Sequence, residues 1–274
     1  MEWSKIKTVI LLMLVGVNIC LLLLVGVRIG RGALYEDETR QAAIQVLERG
    51  GIEFAPAQVP KDIDLPTLTV VRDRNSEAEA ARTLLGEVTQ TGESEVRPSY
   101  SGEGGSAEFS MNGSFTVELT QDRFRRQAGQ TLGEASLDCL EQIGFSGVAE
   151  QVVTRDDTTV LTYFQVWEDA PIFSCRVSLT WEEDTLVRIE GSRLAGTGES
   201  AVTQALLSTP TVLMRFLSSV SEGGSVCSRI ESMSPGYLTS GSGRSVQLNP
   251  VWRILTDTGA YYVDAVTGEV TPES

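Results

Sequence analysis

The first thirty residues contain an uncharged run, Thr8–Val27, in which leucine, valine and isoleucine dominate. It holds twenty residues, about the length that a helix needs to cross a ~30 Å hydrocarbon core. Two lysines precede the run, two arginines follow it, and no comparable run occurs elsewhere. The sequence therefore predicts a short tail at 1–7, one transmembrane helix at 8–27, and a large water-facing region on one side of the membrane.

A cleaved secretory signal is the main alternative for this run. Such signals have an apolar region of about 7–15 residues that ends in a small-x-small cleavage site. The run here is longer, and Val27–Arg31 offers no such site. Basic residues nearly balance at its two ends, so the positive-inside rule gives almost a tie. We expect a cell-membrane protein with a cytoplasmic N-terminus and an extracytoplasmic main domain.

Beyond the apolar run the chain is strongly acidic. The formal net charge is −15, and only one of the 37 acidic residues lies in the first 33 positions. Such a surface repels phosphate backbones, so no nucleic-acid partner is expected. Solubility is the simplest explanation of the charge.

The sequence contains no histidine, which removes the commonest general base and the commonest metal ligand. We therefore predict no catalytic residue, no metal site and no cofactor. Hydrolysis by paired carboxylates needs no histidine and stays open. The candidate pairs border predicted strands, which favours solvated turns over an active site. These pairs are Asp156-Asp157, Glu168-Asp169 and Glu182–Asp184.

Three cysteines follow the apolar run, Cys139, Cys175 and Cys227. Their odd number and wide spacing argue against a complete disulfide framework and against a zinc site. We expect buried free thiols, and one disulfide among the three stays open.

Helical stripes and alternating β-forming residues indicate an α+β chain with antiparallel sheets and packed helices. Ser76–Glu79 has the form of a capping box, and Asn112-Gly113 is a hairpin signal. Helices are predicted at 34–49, from Ser76, at 132–143, and at 201–220 with an interruption at Thr209-Pro210. Strands are predicted at 68–71, 107–111, 114–119, 151–155, 159–167, 172–181, 185–192, 246–256 and 260–264. A second unit starts after residue 121, so we expect two similar-sized subdomains, 34–120 and 121–274.

Both ends of the chain resemble one family. Met1–Thr8, running directly into the apolar helix, resembles the opening of YycI-type proteins. Pro250–Ile254 and Gly259–Val270 resemble the C-terminal segment of the same family, which is itself similar to the closing hairpin of PepSY-like modules. The middle of the chain, 34–190, matches no motif.

The resemblance implies a Gram-positive membrane protein with an extracytoplasmic α+β domain. Together with a YycH-type partner, such a protein restrains an essential cell-envelope histidine kinase of the WalK or YycG type, in good part through transmembrane helix contacts. It implies no catalytic residue and no cofactor. A PepSY-like binding or inhibitor module that is only tethered to the membrane is the alternative, and a tethered hydrolase is a third hypothesis.

Candidate contact residues follow from this hypothesis. Asn18 is a polar residue at the centre of the membrane run, and Gly16 and Cys20 form a small-x-x-x-small pair on a neighbouring face. Glycine is frequent in membrane helices and needs no partner to explain it. Near the C-terminus, Trp252 and Tyr262 are expected on one face of a hairpin around Asp257–Gly259. They form either a partner surface or part of the core.

Overall fold

The computed structural model describes residues 13–14, 38–73, 75–91, 97–120, 123–200, 204–223, 227–241, 243 and 245–273. Except for residues 13–14, the predicted membrane run lies outside the described residues, as do Asn18, Gly16 and Cys20. Within the described ranges, no helix has the length and apolar character needed to span a bilayer.

Four α-helices occur in the described residues, and they give the α part of the fold. They are α1 (38–49), α2 (Asn75–Leu85), α3 (Leu132–Gln142) and α4 (Thr209–Glu222). The strands are β1 (Leu68–Arg72), β2 (Val88–Gln90), β3 (Ser99–Gly102), β4 (Gly105–Phe109), β5 (Ser114–Leu119), β6 (Gly147–Arg155), β7 (Thr158–Trp167), β8 (Ala170–Glu182), β9 (Thr185–Ser192), β10 (Gly196–Ser200), β11 (Ile230–Ser240), β12 (Ser245–Thr256), β13 (Gly259–Asp264) and β14 (Val270–Pro272).

The strands form one sheet that is almost entirely antiparallel. Its main path runs β10-β1-β12-β11-β8-β9-β5-β4-β3-β2, while β13 and β14 extend from β12, and β7 and β6 extend from β8. Helix followed by meander occurs three times along the chain, as α2 with β2–β5, α3 with β6–β9, and α4 with β11–β14. The α+β class predicted from the sequence is therefore confirmed.

Two large apolar cores lie on this sheet. The first packs α2 and α3 against the strands between β3 and β9, and its largest side chain is the fully buried Trp181. The indole N–H of Trp181 donates to Ser136 Oγ at 2.9 Å, which satisfies its one polar atom. The second core packs α1 and α4 against β11–β13 around Trp252. The first core takes residues from both sides of position 120, with α2, β4 and β5 before it and α3 and β7–β9 after it.

The N-termini of the helices show which of the predicted capping motifs form in the folded chain. The described capping box is at α3, where Thr131 Oγ1 accepts from the Glu134 amide at 3.2 Å and Glu134 accepts from the Thr131 amide at 2.8 Å. The capping box predicted at Ser76 was wrong. α2 begins at Asn75, so Ser76 lies inside its first turn, and its hydroxyl donates to the Asp73 carbonyl.

The interruption predicted at Thr209-Pro210 marks the start of α4. Pro210 lies in the first turn, where its missing N–H costs nothing, and residues 204–208 are not helical. The amide of Thr209 donates to Asp62 Oδ1 at 2.7 Å. This bond fixes the connection that precedes β1 against the start of α4.

Candidate functional site

The two groups of strands meet where β8 lies beside β11. Phe164 of β7 pairs with Arg176 of β8, but the next residue, Gln165, pairs with Ile172. Residues 173–175 therefore bulge out of the β7–β8 ladder. They reach β11, where the Thr239 amide donates to Ser174 Oγ at 2.9 Å. We call this contact between β8 and β11 the junction.

A close backbone approach defines the junction. Ile172 and Tyr237 form its parallel pair. A Cβ atom on Gly236 would come within 2.5 Å of both the Phe173 ring and the Pro171 carbonyl oxygen. Only glycine therefore lets β11 lie this close to the bulge of β8.

One face of the junction carries an ion-pair network of four side chains. Arg176 contacts both oxygens of Glu150, with Nε–Oε2 at 2.7 Å and Nη2–Oε1 at 2.8 Å. Arg253 Nη2 lies 3.0 Å from Glu273 Oε2 and 3.3 Å from Glu150 Oε1. Arg176 also contacts Glu273, and the Tyr262 hydroxyl donates to Glu273 Oε1 at 2.8 Å. We call this set the network.

The network lies on an aromatic cluster built from strands. Phe164, Phe173, Val251 and Tyr262 are its buried members. The guanidinium carbon of Arg176 lies 4.9 Å from the Phe164 ring centroid, and that of Arg253 lies 5.2 Å from the same centroid. Cations over aromatic faces are attracted by the ring quadrupole. The two guanidinium groups thus cover an apolar surface while pairing with the carboxylates.

Burial and charge act differently on the titratable groups of the network. Burial raises the pKa of Glu150 above its ordinary value, against the lowering influence of Arg176 and Arg253. Burial alone would also raise the pKa of Glu273, but hydrogen bonds from Tyr262 and Arg253 bring it below its ordinary value. Every carboxylate oxygen of the two glutamates has a partner. The network is therefore suited to holding strands together and offers no free oxygen to a substrate.

The opposite face of β11 contributes to an open pocket of about 330 Å³. Pro235 and Tyr237 point away from the network because they alternate with Gly236 along the strand. The pocket lies between them, the connection before β1 and the β7–β8 turn. Its lining residues are Ile63, Asp64, Leu65, Pro66, Trp167, Glu168, Asp169, Ala170, Pro235 and Tyr237. We call it the junction pocket.

Two of the three predicted carboxylate pairs share a second depression, of about 450 Å³. Asp157, Glu182 and Glu183 line it together with Arg125, and the remaining lining is two threonines and Val187. Asp184 lies apart from these, paired with Arg126 at 2.6 Å. The carboxylates belong to the tight turns between β6 and β7 and between β8 and β9, as predicted. In the described residues no group of three metal-ligating side chains converges.

The three described cysteines are free and buried, so no disulfide joins any two of them. Burial raises the pKa of the Cys139 thiol to about 12 and that of Cys175 to about 11. A thiol with so high a pKa carries little thiolate at neutral pH and is a poor nucleophile. These residues act as small apolar side chains in the cores.

The aromatic pair predicted near the C-terminus lies on two different faces. Trp252 is fully buried in the core beneath α1 and α4, whereas Tyr262 is 7% exposed and belongs to the aromatic cluster under the network. Trp252 pairs with Val263 across the hairpin, and Tyr262 pairs with Arg253. The two rings therefore do not form an exposed patch on this domain.

Sequence reasoning missed the network. Its available signal was a pair of arginines inside apolar strands, Arg176 between Cys175 and Val177 and Arg253 between Trp252 and Ile254. A charge within such a strand needs a partner when it is buried.

Comparison with protein-family models gave no match, and no curated protein matches the sequence. A crystal structure of an uncharacterized protein from Eubacterium rectale is similar, with a TM-score of 0.52 and 13% identity, covering 77% of this chain and 86% of that one. The Bacillus megaterium YpeB C-terminal domain has a TM-score of 0.40 and 12% identity, covering 75% of this chain and 99% of that domain. At these identities the first likeness shows the fold alone, and the second, with its low TM-score, carries no argument.

Proposed function

We propose that this chain is a non-enzymatic, single-pass membrane regulator of a sensor histidine kinase. Its extracytoplasmic domain docks on a partner while its membrane helix contacts another helix. The apolar run Thr8–Val27 ahead of one sheet-built domain carries the proposal, because it tethers that domain beside other membrane proteins. The two-ended YycI-type resemblance suggests the partners, a WalK or YycG type kinase and a YycH-type protein.

The arrangement of charge supports a binding role over hydrolysis. The two carboxylates of the network are fully paired, so they are not available to act on a substrate. The turn carboxylates at the second depression lie among polar residues, whereas a general acid usually has an apolar surrounding that keeps it protonated. The junction pocket is an open surface at the junction whose carboxylates are not held in ion pairs with other described residues.

A crosslinker placed at Asn18 in intact membranes tests the helix contact. An interhelical hydrogen bond from a buried amide averages only about 0.6 kcal/mol, so we expect capture of a kinase helix at this position but not a permanent complex. Ile19, about 100° around an ideal helix from Asn18 and outside the Gly16 and Cys20 pair, is the matched control position. Equal capture from both positions, or capture of no kinase from either, would contradict the helix contact.

A PepSY-like binding or inhibitor module, tethered but not signalling through its helix, is the second candidate. The junction pocket favours it, because a pocket on the domain needs no membrane helix in order to bind. One experiment distinguishes the two candidates. It compares kinase output between cells that carry the full chain and cells that carry a secreted form of residues 34–274. Full activity of the secreted form supports the module, and its complete loss supports the membrane regulator.

A further inference from the structure

The walls of the junction pocket are held in place before any ligand binds. Asp62, one end of the connection, accepts the amide of Thr209 at the start of α4. At the other end, the Tyr237 hydroxyl donates to the Pro66 carbonyl at 3.1 Å. The Trp167 indole packs on β10 so closely that a Cβ on Gly198 would lie 2.8 Å from it. A volume of about 330 Å³ is at the small end of ligand pockets.

The rim of the pocket is acidic and its walls are apolar. Asp64, Glu168 and Asp169 line it and are exposed. Among the described residues, none of these three carboxylates has an ion pair or a side-chain hydrogen bond, whereas both carboxylates of the network have two arginine partners. Burial, followed by the negative charge of Glu168, raises the pKa of Tyr237 to about 12. The three unpaired carboxylates therefore give the mouth of the pocket a negative charge.

These features select one kind of occupant. A pocket with a fixed indole, proline walls and unpaired carboxylates at its mouth suits a side chain with an apolar stem and a cationic end. Anions are repelled by the rim. Because the pocket is a half-open depression, an extended chain can pass along it and place one side chain inside.

We propose that the junction pocket binds a lysine or arginine side chain of an extended segment of the partner protein. The stem lies against Trp167 and Pro235, and the cationic end faces the carboxylates of Asp64, Glu168 and Asp169. This proposal rests on the proposed binding function and adds the chemistry of the contacted segment.

The test uses the full chain in nanodiscs and a hexalysine peptide, with hexaglutamine as the neutral peptide. Binding is followed by tryptophan fluorescence and by calorimetry at two salt concentrations. The pocket variant is Glu168→Gln with Asp169→Asn. The matched control is Asp156→Asn with Asp157→Asn, because it removes the same charge from another two-residue hairpin turn whose first residue also has φ near +52°.

We expect the pocket variant to weaken hexalysine binding by about tenfold or more, and the control variant by less than about threefold. Asp64→Asn, on a different segment, is expected to weaken it as well, and unchanged thermal unfolding shows that each variant is folded. Equal weakening by pocket and control variants would overturn the proposal, since it would show attraction by net charge only. Absence of hexalysine binding to the unaltered chain would also overturn it.

Crosslinking of the kinase from Asn18, measured in the same variants, tests the proposed regulator function independently of the pocket proposal. Suppose that the unaltered chain captures the kinase, but that the pocket variant binds hexalysine as tightly as the unaltered chain does. The pocket proposal then fails and the regulator proposal stands. If hexalysine binds at the pocket but no kinase is captured, the regulator proposal fails and the pocket stands.

Discussion

The two faces of the junction handle charge in opposite ways. On one face, four charges neutralise each other over an aromatic cluster, and their side chains other than Arg176 are only 14–17% exposed. On the other face, three exposed carboxylates surround an apolar pocket, and none of the described residues that line this pocket is a lysine or an arginine. The junction of β8 and β11 thus has one face whose charges hold strands together and one face whose charges are free to bind a partner. Only the first should matter for stability.

Removing an arginine from the network should have the largest effect. Arg253→Met leaves two poorly exposed carboxylates with one guanidinium between them, so we expect a loss of about 2–4 kcal/mol in the free energy of unfolding. Urea unfolding of the purified chain measures it. Arg188→Met, which breaks pairs between exposed side chains at 3.2 and 2.8 Å, should cost about 0.5 kcal/mol or less. Similar losses in both variants would mean that the network stabilises the fold no more than an exposed ion pair does.

Pushing β11 away from β8 should have the next largest effect. Gly236→Ala places a methyl group against the Phe173 ring and the Pro171 carbonyl, so we expect a loss of about 1–3 kcal/mol. Gly133→Ala in α3 is the control, since its new Cβ would have no neighbour closer than 3.8 Å. That variant should be neutral or stabilised by up to about 1 kcal/mol. If Gly236→Ala were equally harmless, the junction would not be closely packed.

Lowering the pH should reduce the free energy of unfolding that the network contributes, and the variant Glu273→Gln shows how much of this loss comes from Glu273. Because the folded-state pKa of Glu273 is lowered, its ionised form stabilises the fold above its unfolded-state pKa, and that contribution is lost as the pH falls through the folded-state value. Glu273→Gln has lost it already at pH 7. The difference in unfolding free energy between the two proteins should therefore shrink from pH 7 towards pH 3. A constant difference would show that Glu273 acts by shape and not by charge.

Removing a carboxylate from the pocket face should have the smallest effect. Glu168→Gln keeps the size of the side chain and removes one of three unpaired negative charges. We expect a change of less than about 0.5 kcal/mol, with any effect towards greater stability. Thermal unfolding at low and moderate salt measures it. A clear destabilisation would mean that Glu168 has a structural partner, and the contrast between the two faces would fail.

Local patterns predicted much of the sheet, because alternation and turn residues act within a few positions. β9 and the hairpin of β4 and β5 follow the predicted ranges closely. The face of Trp252 could not be predicted from alternation alone. The predicted turn had three residues, Asp257–Gly259, but Thr256 pairs with Gly259, which leaves a two-residue turn. A slip of one residue in register reverses the faces of every side chain across the hairpin.

The network could not be predicted for a different reason. Glu150 and Arg253 are 103 positions apart, and their meeting depends on the bulge of β8. That bulge is a feature of the pairing between β7 and β8, and Phe173–Cys175 contain no glycine or turn residue pattern that would indicate it. The same holds for the junction pocket, whose walls come from three separate segments. Each segment alone has the composition of an ordinary turn or connection.

The span of the network has a consequence for biosynthesis. Its first member is Glu150 and its last is Glu273, so it cannot close until residue 273 has been synthesised. At about 5–20 residues per second, the interval between them is roughly 6–25 s. During this time Phe164 and Phe173 have no completed cover of paired guanidinium groups. A nascent chain of this protein thus carries an uncovered aromatic surface until residue 273 has been added, and a chaperone would meet that surface during this interval.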